Sequence, residues 1–341
     1  MPTERRHPFL PAGTCALVLV SALAAVPEAA TAATEIEVGA LRFTSHAASF
    51  VAFERGYFAD EGLDVTFRFF QAAQPMAVAV ASKDVDFAVT AISGGLISLA
   101  EKGAAKVIGG ALVEEAGVDG QKIIVSDVAY QAGRDAPAAL DGASWGVTQA
   151  GSSFHYMGAK IAEAEGIELS YKPLQKTPTI IGAIKSGQID GWSIVPHIAK
   201  PLAGGGAVHI IGDVADYLPG YQVTVVFTSA DNAENRRDTS EAFLRAFARG
   251  AADFNAALVD KSEGDEAAEA MVKLIHQYVY TDRAYEKAAP SIVSGAMRIS
   301  ADAALHADSV RDQLDWFRNE GLVKDSITFE TLVDDSYVEQ K

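Results

Sequence analysis

The sequence predicts an α/β protein in which two similar βαβαβ units face each other across a cleft. The first observation is the stretch 145–156, where a short apolar run, a glycine turn and two serines suit a strand that leads into a capped helix. The second is a weaker copy of this stretch upstream, in which Ser49 matches Ser153 at an offset of 104 residues (153 − 49 = 104). The third is helical periodicity, with no strand pattern, after residue 236.

The first 32 residues have the pattern of a secretory signal peptide. Arg5 and Arg6 precede an apolar segment at about residues 15–26, and small residues follow up to Ala32. An N-terminal buried helix is the alternative, and it fits this pattern less well. We therefore expect export to the periplasm, with cleavage near Ala32. Since Cys15 is the only cysteine, the mature chain has no disulfide and no thiolate chemistry.

Length, net charge and hydropathy limit the number of domains and the kinds of partner that we expect. The chain has 341 residues, enough for two domains with cores of their own. Its net charge of −17 repels nucleic acid at long range, so no nucleic-acid partner is expected. After the signal segment no stretch reaches the ~18 uninterrupted apolar residues of a membrane-spanning helix.

The first unit is predicted to alternate strands and helices. A polar turn at 44–46 separates its first strand from a helix that ends near Gly62. Its strands are predicted at residues 36–41, 65–70, 85–90 and 107–113, with further helices at 76–82 and up to Lys102.

The second unit repeats this order at the same offset. The matching pairs are Gly62 and Gly166, Gln71 and Gln175, Ser82 and Ser186, and Asp86 and Asp190. An ancestral duplication is the favoured cause, and shared fold geometry without duplication is the alternative. Parallel sheets of this kind bind ligands outside the carboxyl ends of their strands, so two such units facing one another form a binding cleft.

A return strand and a helical tail complete the chain. The strand at 223–227 is predicted to carry the chain back to the first unit, after second-unit strands that include 122–126, 169–174, 189–194 and 208–211. The tail shows apolar residues at three- and four-residue spacing, and its helices are predicted at 239–257, 265–280, 282–297 and 302–319. With no strand of its own, the tail is expected to dock on the first unit.

The helix that begins at Ser152 and Ser153 is the main candidate binding element. Its free N–H groups and positive dipole end suit an anionic or strongly polar group, although the serines can also serve as a cap alone. Trp192 follows the third strand and suits stacking on a flat ligand, with a place in the core as the alternative. Phe154 suits either the wall of the cleft or the core, and the sequence does not decide between them. Phe50 is expected to pack in the core.

The remaining polar candidates give no catalytic or metal site. His46, in the first loop, suits donation to a carboxylate or sulfonate oxygen, whereas His155 is expected in the core or on the surface. Asp86 and Asp190 start strands at the end away from the cleft, where they are expected to bind the backbone amides of turns. No nucleophile elbow, phosphate loop or zinc signature occurs, so neither an enzyme nor a cofactor is predicted.

Several segments resemble a known family. The segments FERGYFADEGLDVTF, ASKDVDFAVT, DGASWGVTQAGSSFHY, AIKSGQIDGW and QLDWFRNEGLVKD are similar to the NMT1/SsuA-like periplasmic substrate-binding proteins of ABC importers. The similarity covers almost the whole mature chain. It implies the type II periplasmic binding protein fold, with a solute trapped between two lobes that close and then dock on permease subunits in the inner membrane. Lobe 1 is then expected at 33–121 and 226–341, and lobe 2 at 122–225.

The resemblance also implies where the solute binds. The implied contacts are Ser45, His46, Gln71, Ala91 and Ser93 in lobe 1, and Gln149, Ser152, Ser153, Phe154, Gln175 and Trp192 in lobe 2. A sulfonate or an aromatic or aliphatic carboxylate is expected, with Lys176 as the only cation near these loops. Three alternatives stay open: a neutral heterocycle such as a pyrimidine thiamine precursor, an enzyme on the same fold, and a sensor domain. The cysteine-rich motif of dedicated pyrimidine-binding members is missing.

Overall fold

The computed structural model describes residues 1–4, 32–337 and 340–341. The predicted signal peptide falls almost wholly on residues 5–31, outside the described residues. From residue 33 onward the chain forms one compact unit that contains two five-stranded sheets. Each sheet carries helices and forms the centre of one lobe.

The first sheet has the strand order β2-β1-β3-β10-β4. Its strands are β1 (Thr34–Leu41), β2 (Leu63–Phe70), β3 (Phe87–Thr90), β4 (Ala105–Gly110) and β10 (Val225–Ser229). Strands β1, β2 and β3 are parallel, and β10 runs antiparallel to both of its neighbours. The return strand predicted from VTVVF therefore completes the first sheet, two residues further along than expected.

The second sheet has the same arrangement, with the order β7-β6-β8-β5-β9. Its strands are β5 (Lys122–Ser126), β6 (Ala143–Val147), β7 (Leu169–Pro173), β8 (Gly191–Ile194) and β9 (Val208–Asp213). Here β5 is the antiparallel strand, next to β8 and β9. In each sheet the antiparallel strand, β10 or β5, holds the fourth position and comes directly after a segment that crosses between the lobes. This is the symmetry expected of two matched units.

Helices flank both sheets. In lobe 1 they are α1 (Ala47–Glu54), α2 (Tyr57–Asp60), α3 (Ala73–Ala81) and α4 (Gly94–Glu101). In lobe 2 they are α5 (Asp127–Gln131), α6 (Ser153–Glu165), α7 (Thr177–Lys185) and α8 (Pro196–Gly204). The tail contains α9 (Ala230–Asn235), α10 (Arg237–Phe254), α11 (Gly264–His276), α12 (Tyr285–Val293), α13 (Ala307–Asn319) and α14 (Phe329–Leu332). None of the helices within these residues is long and apolar enough to cross a membrane.

Two matched aspartates join the strands of each sheet at the end away from the cleft. Asp86 accepts the N–H of Glu37 at 2.9 Å, and Asp190 accepts the N–H of Ser144 at 2.7 Å. The acceptor carboxylates therefore bind backbone amides as expected, but the amides belong to the neighbouring strand and not to a turn. Asp86 also pairs with Arg236 at 2.8 Å, which fixes the start of the tail to the first sheet.

Two crossing segments, 111–121 and 214–224, join the lobes. They pair with each other, since the N–H of Glu114 donates to the Tyr221 carbonyl at 2.9 Å and that of Val214 to the Gln121 carbonyl at 2.9 Å. Two short backbone-bonded segments that lie side by side form a compact hinge.

The tail packs on lobe 1 through α10, where Phe243 stacks on Phe87 with ring centroids 4.5 Å apart. It also reaches lobe 2, which the sequence does not indicate. Asp312 on α13 lies 3.2 Å from the Lys160 ammonium, and Trp316 packs edge-on against His155 at 5.1 Å. The predicted helix 282–297 is shorter than expected, because α12 begins at Tyr285 and ends at Val293.

Candidate ligand-binding site

The carboxyl ends of the strands in the two lobes line a pocket with about 560 Å³ of empty space, which includes space open to solvent; it is here called the inner chamber. Its polar lining residues are Ser45, His46, Thr90, Gln121, Thr148, Ser152, Ser153, Thr177 and Thr224. Its apolar lining residues are Leu41, Phe43, Ala72, Ala73, Ala91, Leu112, Phe154, Ile194, Val195 and Val223. Not one of these lining residues is an aspartate, glutamate, lysine or arginine. The lining of the inner chamber therefore offers hydrogen-bonding groups and an apolar surface but no formally charged side chain.

The predicted helix start lies at this chamber. Ser152 has the extended backbone of an N-cap, but its side chain makes no capping hydrogen bond. Its hydroxyl is buried without a hydrogen-bond partner among the described residues. The N–H groups of Ser153 and Phe154 are the first two of α6, where a helix offers them no carbonyl. The Ser152 hydroxyl and these two N–H groups thus place three donors on one wall of the chamber. An unpaired buried hydroxyl is a costly group to leave unused.

Two further polar side chains face this wall. His46 is 1% exposed, and its Nδ1 accepts the N–H of Leu41 at 3.3 Å. Burial lowers the pKa of His46 to about 3, so the ring is neutral and its Nε2 carries the proton. The Nε2 of Gln121, at the end of the first crossing segment, is buried without a partner among the described residues. Both side chains are neutral donors.

The predicted contacts divide into two groups. Ser45, His46, Ala91, Ser152, Ser153 and Phe154 line the inner chamber, and Gln71 lines a second cavity described below. Ser93, Gln149, Gln175 and Trp192 line neither cavity. The second group lies outside both chambers, and contact of either group with a ligand stays a prediction.

Three residues of the second group have a clear structural role. Ser93 caps α4 by accepting the N–H of Leu96 at 3.2 Å. Gln175 has a φ of 66° and donates its N–H to the Thr148 carbonyl at 2.8 Å, so it shapes the loop. Trp192 is fully buried, and its ring lies edge-on behind Phe154 at 5.2 Å. It therefore supports the chamber wall from the core.

The lobes contact each other around the inner chamber. The bonds across the cleft run from Gly94 N–H to the Gly151 carbonyl (2.9 Å), from Thr177 N–H to the Gln71 carbonyl (3.4 Å) and from Gln149 Nε2 to Gln74 Oε1 (3.2 Å). In each bond one partner belongs to lobe 1 and the other to lobe 2. The structure therefore describes the closed arrangement of the lobes.

A second pocket, here called the outer chamber, lies next to the inner one and has about 1020 Å³ of empty space, which includes space open to solvent. Its lining residues are Leu41, Arg42, Phe43, Phe69, Phe70, Gln71, Thr177, Pro178, Ile181, His197, Ile198, Pro201, Leu202, Tyr280 and Arg283. Leu41, Phe43 and Thr177 line both chambers and so form the partition between them. Because Tyr280 and Arg283 come from the tail, the outer chamber involves a third part of the chain.

The prediction that Lys176 is the only cation near the binding loops is wrong. Lys176 lines neither chamber, whereas Arg42 and Arg283 both line the outer one. The guanidinium carbon of Arg42 lies 3.7 Å from the centroid of the Phe69 ring, and that of Arg283 lies 4.4 Å from the Tyr280 ring. Arg42 follows the first strand directly and was visible in the sequence, but only folding brings Arg283 beside it.

A buried histidine, His197, also lines the outer chamber. His197 is 1% exposed, and neither ring nitrogen has a partner among the described residues. Burial lowers its pKa to about 3, so it is neutral. The Phe43 ring packs edge-on against it at 5.3 Å, and the Tyr280 hydroxyl donates to its carbonyl at 2.6 Å. The second bond ties the tail to α8 in lobe 2.

Comparison with solved structures identifies the fold. The ligand-binding component of an ABC-type import system from Staphylococcus aureus superposes with a TM-score of 0.70 at 14% identity, over 89% of this chain and 97% of that one. The alkanesulfonate-binding protein SsuA from Xanthomonas axonopodis pv. citri gives 0.67 at 14% identity, over 92% and 100%. The periplasmic nitrate-binding protein NrtA from Synechocystis PCC 6803 gives 0.70 at 13%, over 89% and 87%. The fold is thus the two-lobed periplasmic binding protein fold of ABC import binding proteins.

The same fold also occurs in an enzyme, since the desulfurization enzyme DSZB superposes with a TM-score of 0.56 at 14% identity, over 89% of this chain and 97% of that one. No curated protein sequence matches the chain. The sequence family described as NMT1/THI5 like matches residues 43–257, which is more than half of the chain and includes both lobes and most of the inner chamber. The chain therefore belongs to the NMT1/THI5-like family.

Proposed function

We propose that this protein is the periplasmic solute-binding component of an ABC importer and captures a small organic anion, a sulfonate or a carboxylate, when its two lobes close. The observation that carries the proposal is the buried, unpaired Ser152 hydroxyl beside the free N–H groups at the start of α6. These donors face a chamber that both lobes line. A ligand that contacts both lobes stabilises the closed state over the open one.

The donors suit an anionic oxygen group. Hydrogen bonds to a charged acceptor are about twice as strong as neutral ones, and the positive end of α6 adds to them. Ser152, Gln121 and His46 are neutral donors, so the ligand's charge is met by dipoles and not by a buried cation. The Phe154 ring supplies an apolar wall for the rest of the solute.

Export and delivery follow from the same proposal. The first 32 residues act as a cleaved signal peptide, and the mature chain divides into lobe 1 at 33–121 and 226–341 and lobe 2 at 122–225. Hinge closure about the crossing segments presents a ligand-dependent surface to permease subunits in the inner membrane. The chain releases the solute unchanged, which separates it from an enzyme on the same fold.

A neutral heterocycle is the second candidate ligand, because no lining side chain of the inner chamber is formally charged. The edges of a pyrimidine present donors and acceptors that hydroxyl and amide groups can match. An uncharged ligand would leave the dipole of α6 without a counter-charge.

The experiment is isothermal titration of the exported, processed protein with matched sulfonates, carboxylates and pyrimidines, after a thermal-shift screen. The proposal predicts that an anion stabilises the protein and that Ser152→Ala weakens its binding about tenfold, or about 1.4 kcal/mol. Ser170→Ala, on the exposed face of β7, is the matched control and leaves affinity unchanged. Binding of pyrimidines but no anions would favour the second candidate. Chemical turnover of the bound compound would contradict the binding role.

A further inference from the structure

We infer that the outer chamber is a second anion subsite, so the ligand is elongated and carries an acidic group at each end of an apolar body. This inference rests on the proposed function and sharpens its ligand class. The inner chamber receives one acidic group at the start of α6. The outer chamber receives the other between the guanidinium groups of Arg42 and Arg283.

The first argument is the pairing of arginines. Of the 12 arginines in the described residues, nine lie within 4.0 Å of an aspartate or glutamate oxygen. Arg42, Arg134 and Arg283 do not, within that part of the chain. Two of these three line the same cavity. In a chain with a net charge of −17, two arginines without acidic partners at one cavity indicate that their acidic partner comes from outside the chain.

The second argument is that both guanidinium groups are held in place. Arg42 lies over the Phe69 ring and donates from one terminal nitrogen to the Tyr278 carbonyl at 3.0 Å. Arg283 lies over the Tyr280 ring, and Tyr280 itself has a φ of 60°, a strained value for a bulky residue. Stacking on a ring leaves the edge of the guanidinium available for a bidentate contact with a carboxylate or sulfonate. The two groups are thus oriented without being neutralised.

The third argument is the unpaired imidazole of His197. The side chain is 99% buried at the outer chamber, and neither nitrogen has a partner among the described residues. A neutral imidazole always has one N–H to donate. His197 therefore offers a neutral donor beside the two cations, which is a set of groups that matches an acidic oxygen.

The two chambers share walls, which sets the shape of the ligand. Leu41, Phe43 and Thr177 line both chambers, so a rod-shaped molecule that passes these residues reaches both sets of donors. Between the polar ends the outer chamber is lined by apolar groups such as Phe70, Ile181 and Leu202. These walls suit an aryl or alkyl body between the acidic groups.

The test compares acids that share a body but differ in their number of acidic groups. The probe pairs are benzoate with 1,4-benzenedicarboxylate, and hexanoate with hexanedioate, titrated into the full processed protein. The inference predicts that at least one diacid binds tenfold or more tightly than its monoacid partner. Arg283→Gln and Arg42→Gln each lower that affinity ratio about tenfold, whereas Arg134→Gln, the unpaired arginine outside both chambers, leaves the ratio unchanged.

A second comparison separates the two ends. Because the inner chamber holds the acidic group of a monoacid, Ser152→Ala weakens both the monoacid and the diacid, whereas Arg283→Gln weakens only the diacid. Equal affinity of diacid and monoacid in both pairs, or an equal loss of both on Arg283→Gln, would overturn the second subsite and leave the proposed function standing. If no acid binds and a neutral compound does, both proposals fail. Melting temperatures of the variants show that each remains folded.

Discussion

The inner and outer chambers adjoin one another but are lined by different kinds of chemical group. The inner chamber is lined by neutral donors on buried backbone and short side chains, which the two matched units supply. The outer chamber has exposed arginines stacked on aromatic rings, and part of its lining comes from the tail. The difference teaches that the paired units provide a general polar site, while the tail adds charge and length to the binding region.

Filling the inner chamber should have the largest effect. Ala91→Leu adds three carbons at a position that is 8% exposed and lines the chamber, so we expect binding to weaken by ~100-fold while the outer chamber keeps its arginines. Isothermal titration measures this loss. Ala270→Leu, on the exposed face of α11, is the matched control. Binding that survives Ala91→Leu would mean that the outer chamber alone holds the solute.

Acid stability should show whether both buried histidines act alike. Burial lowers the pKa of His46, in the inner chamber, and of His197, in the outer one, to about 3. Below pH 6.5 the unfolded chain binds protons that the folded chain does not, so stability falls as the pH falls from 6.5 toward 3. Burial raises the pKa of Glu114 to about 7, so between pH 4.5 and 7 the folded chain holds a proton that the unfolded chain has released. The stability that this group contributes is therefore lost as the pH rises from 4.5 through 7, which is opposite to the effect of the histidines.

Between pH 6.5 and 4.5 the two histidines outweigh the one glutamate. Burial also lowers the pKa of His155 and His306, which act in the same direction as the two buried histidines. From His46, His197 and Glu114 alone we expect a net loss of about 1.4 kcal/mol for each pH unit of acidification, because the unfolded state binds one extra proton at these three groups. Glu114→Gln should steepen this slope to about 2.7 kcal/mol per unit. His46→Gln and His197→Gln should each flatten it by about 1.4 kcal/mol per unit. Urea unfolding at pH 5, 5.5 and 6 measures the slopes, and unequal effects of the two histidine variants would show that the chambers differ in burial.

Closure of the inner chamber depends on a glycine at the cleft. Gly151 has a φ of 70°, and a Cβ there would lie 3.3 Å from the Phe317 ring and 3.6 Å from the Gly94 nitrogen. We expect Gly151→Ala to weaken ligand binding by roughly tenfold, since it crowds the contact between the lobes. Gly103→Ala is the control, because its φ of 68° carries the same strain but its Cβ meets nothing within 4 Å and it lies outside the crossing segments. Equal affinity in the two variants would show that the contact does not govern closure.

The smallest effect concerns the outer chamber. Tyr280→Phe removes the hydroxyl that donates to the His197 carbonyl and leaves the ring under Arg283. We expect the solute to dissociate about threefold faster, since one neutral hydrogen bond across the cleft contributes about 1 kcal/mol or less. Stopped-flow displacement measures the rate, with Tyr285→Phe as the control. A rate equal to that of the unaltered protein would place this bond outside the closing step.

Local sequence signals predicted the features that depend on neighbouring residues. The strand, glycine turn and helix at 145–156 form β6 and the start of α6, although the predicted serine cap is absent, since the Ser152 side chain makes no capping hydrogen bond. Asp86 and Asp190 bind backbone amides away from the cleft. The paired units follow from repeated short-range patterns, so one sequence was enough to find them. The family resemblance then supplied the fold and the two-lobed arrangement.

Features that depend on distant packing were missed or misplaced. Trp192 lies on the same face of β8 as Ile194, which lines the inner chamber, but it is two residues further from the carboxyl end of the strand. Its ring therefore lies under the chamber and not in it. Tyr280 and Arg283 reach the outer chamber only because the tail packs against α8, and no local pattern indicates that contact. The tail's contacts with lobe 2, through Asp312 and Trp316, were missed for the same reason.

The unpaired polar atoms of the inner chamber have a consequence for the transport cycle. If the lobes closed without a solute, Ser152 and Gln121 would lose their water and gain nothing, at a cost of about 1–3 kcal/mol for each group. An empty receptor is therefore biased toward the open form, and the solute supplies the missing acceptors. In the proposed importer role, such a bias keeps unloaded receptors from presenting the closed shape to the membrane partner, and so limits ATP hydrolysis that moves no cargo.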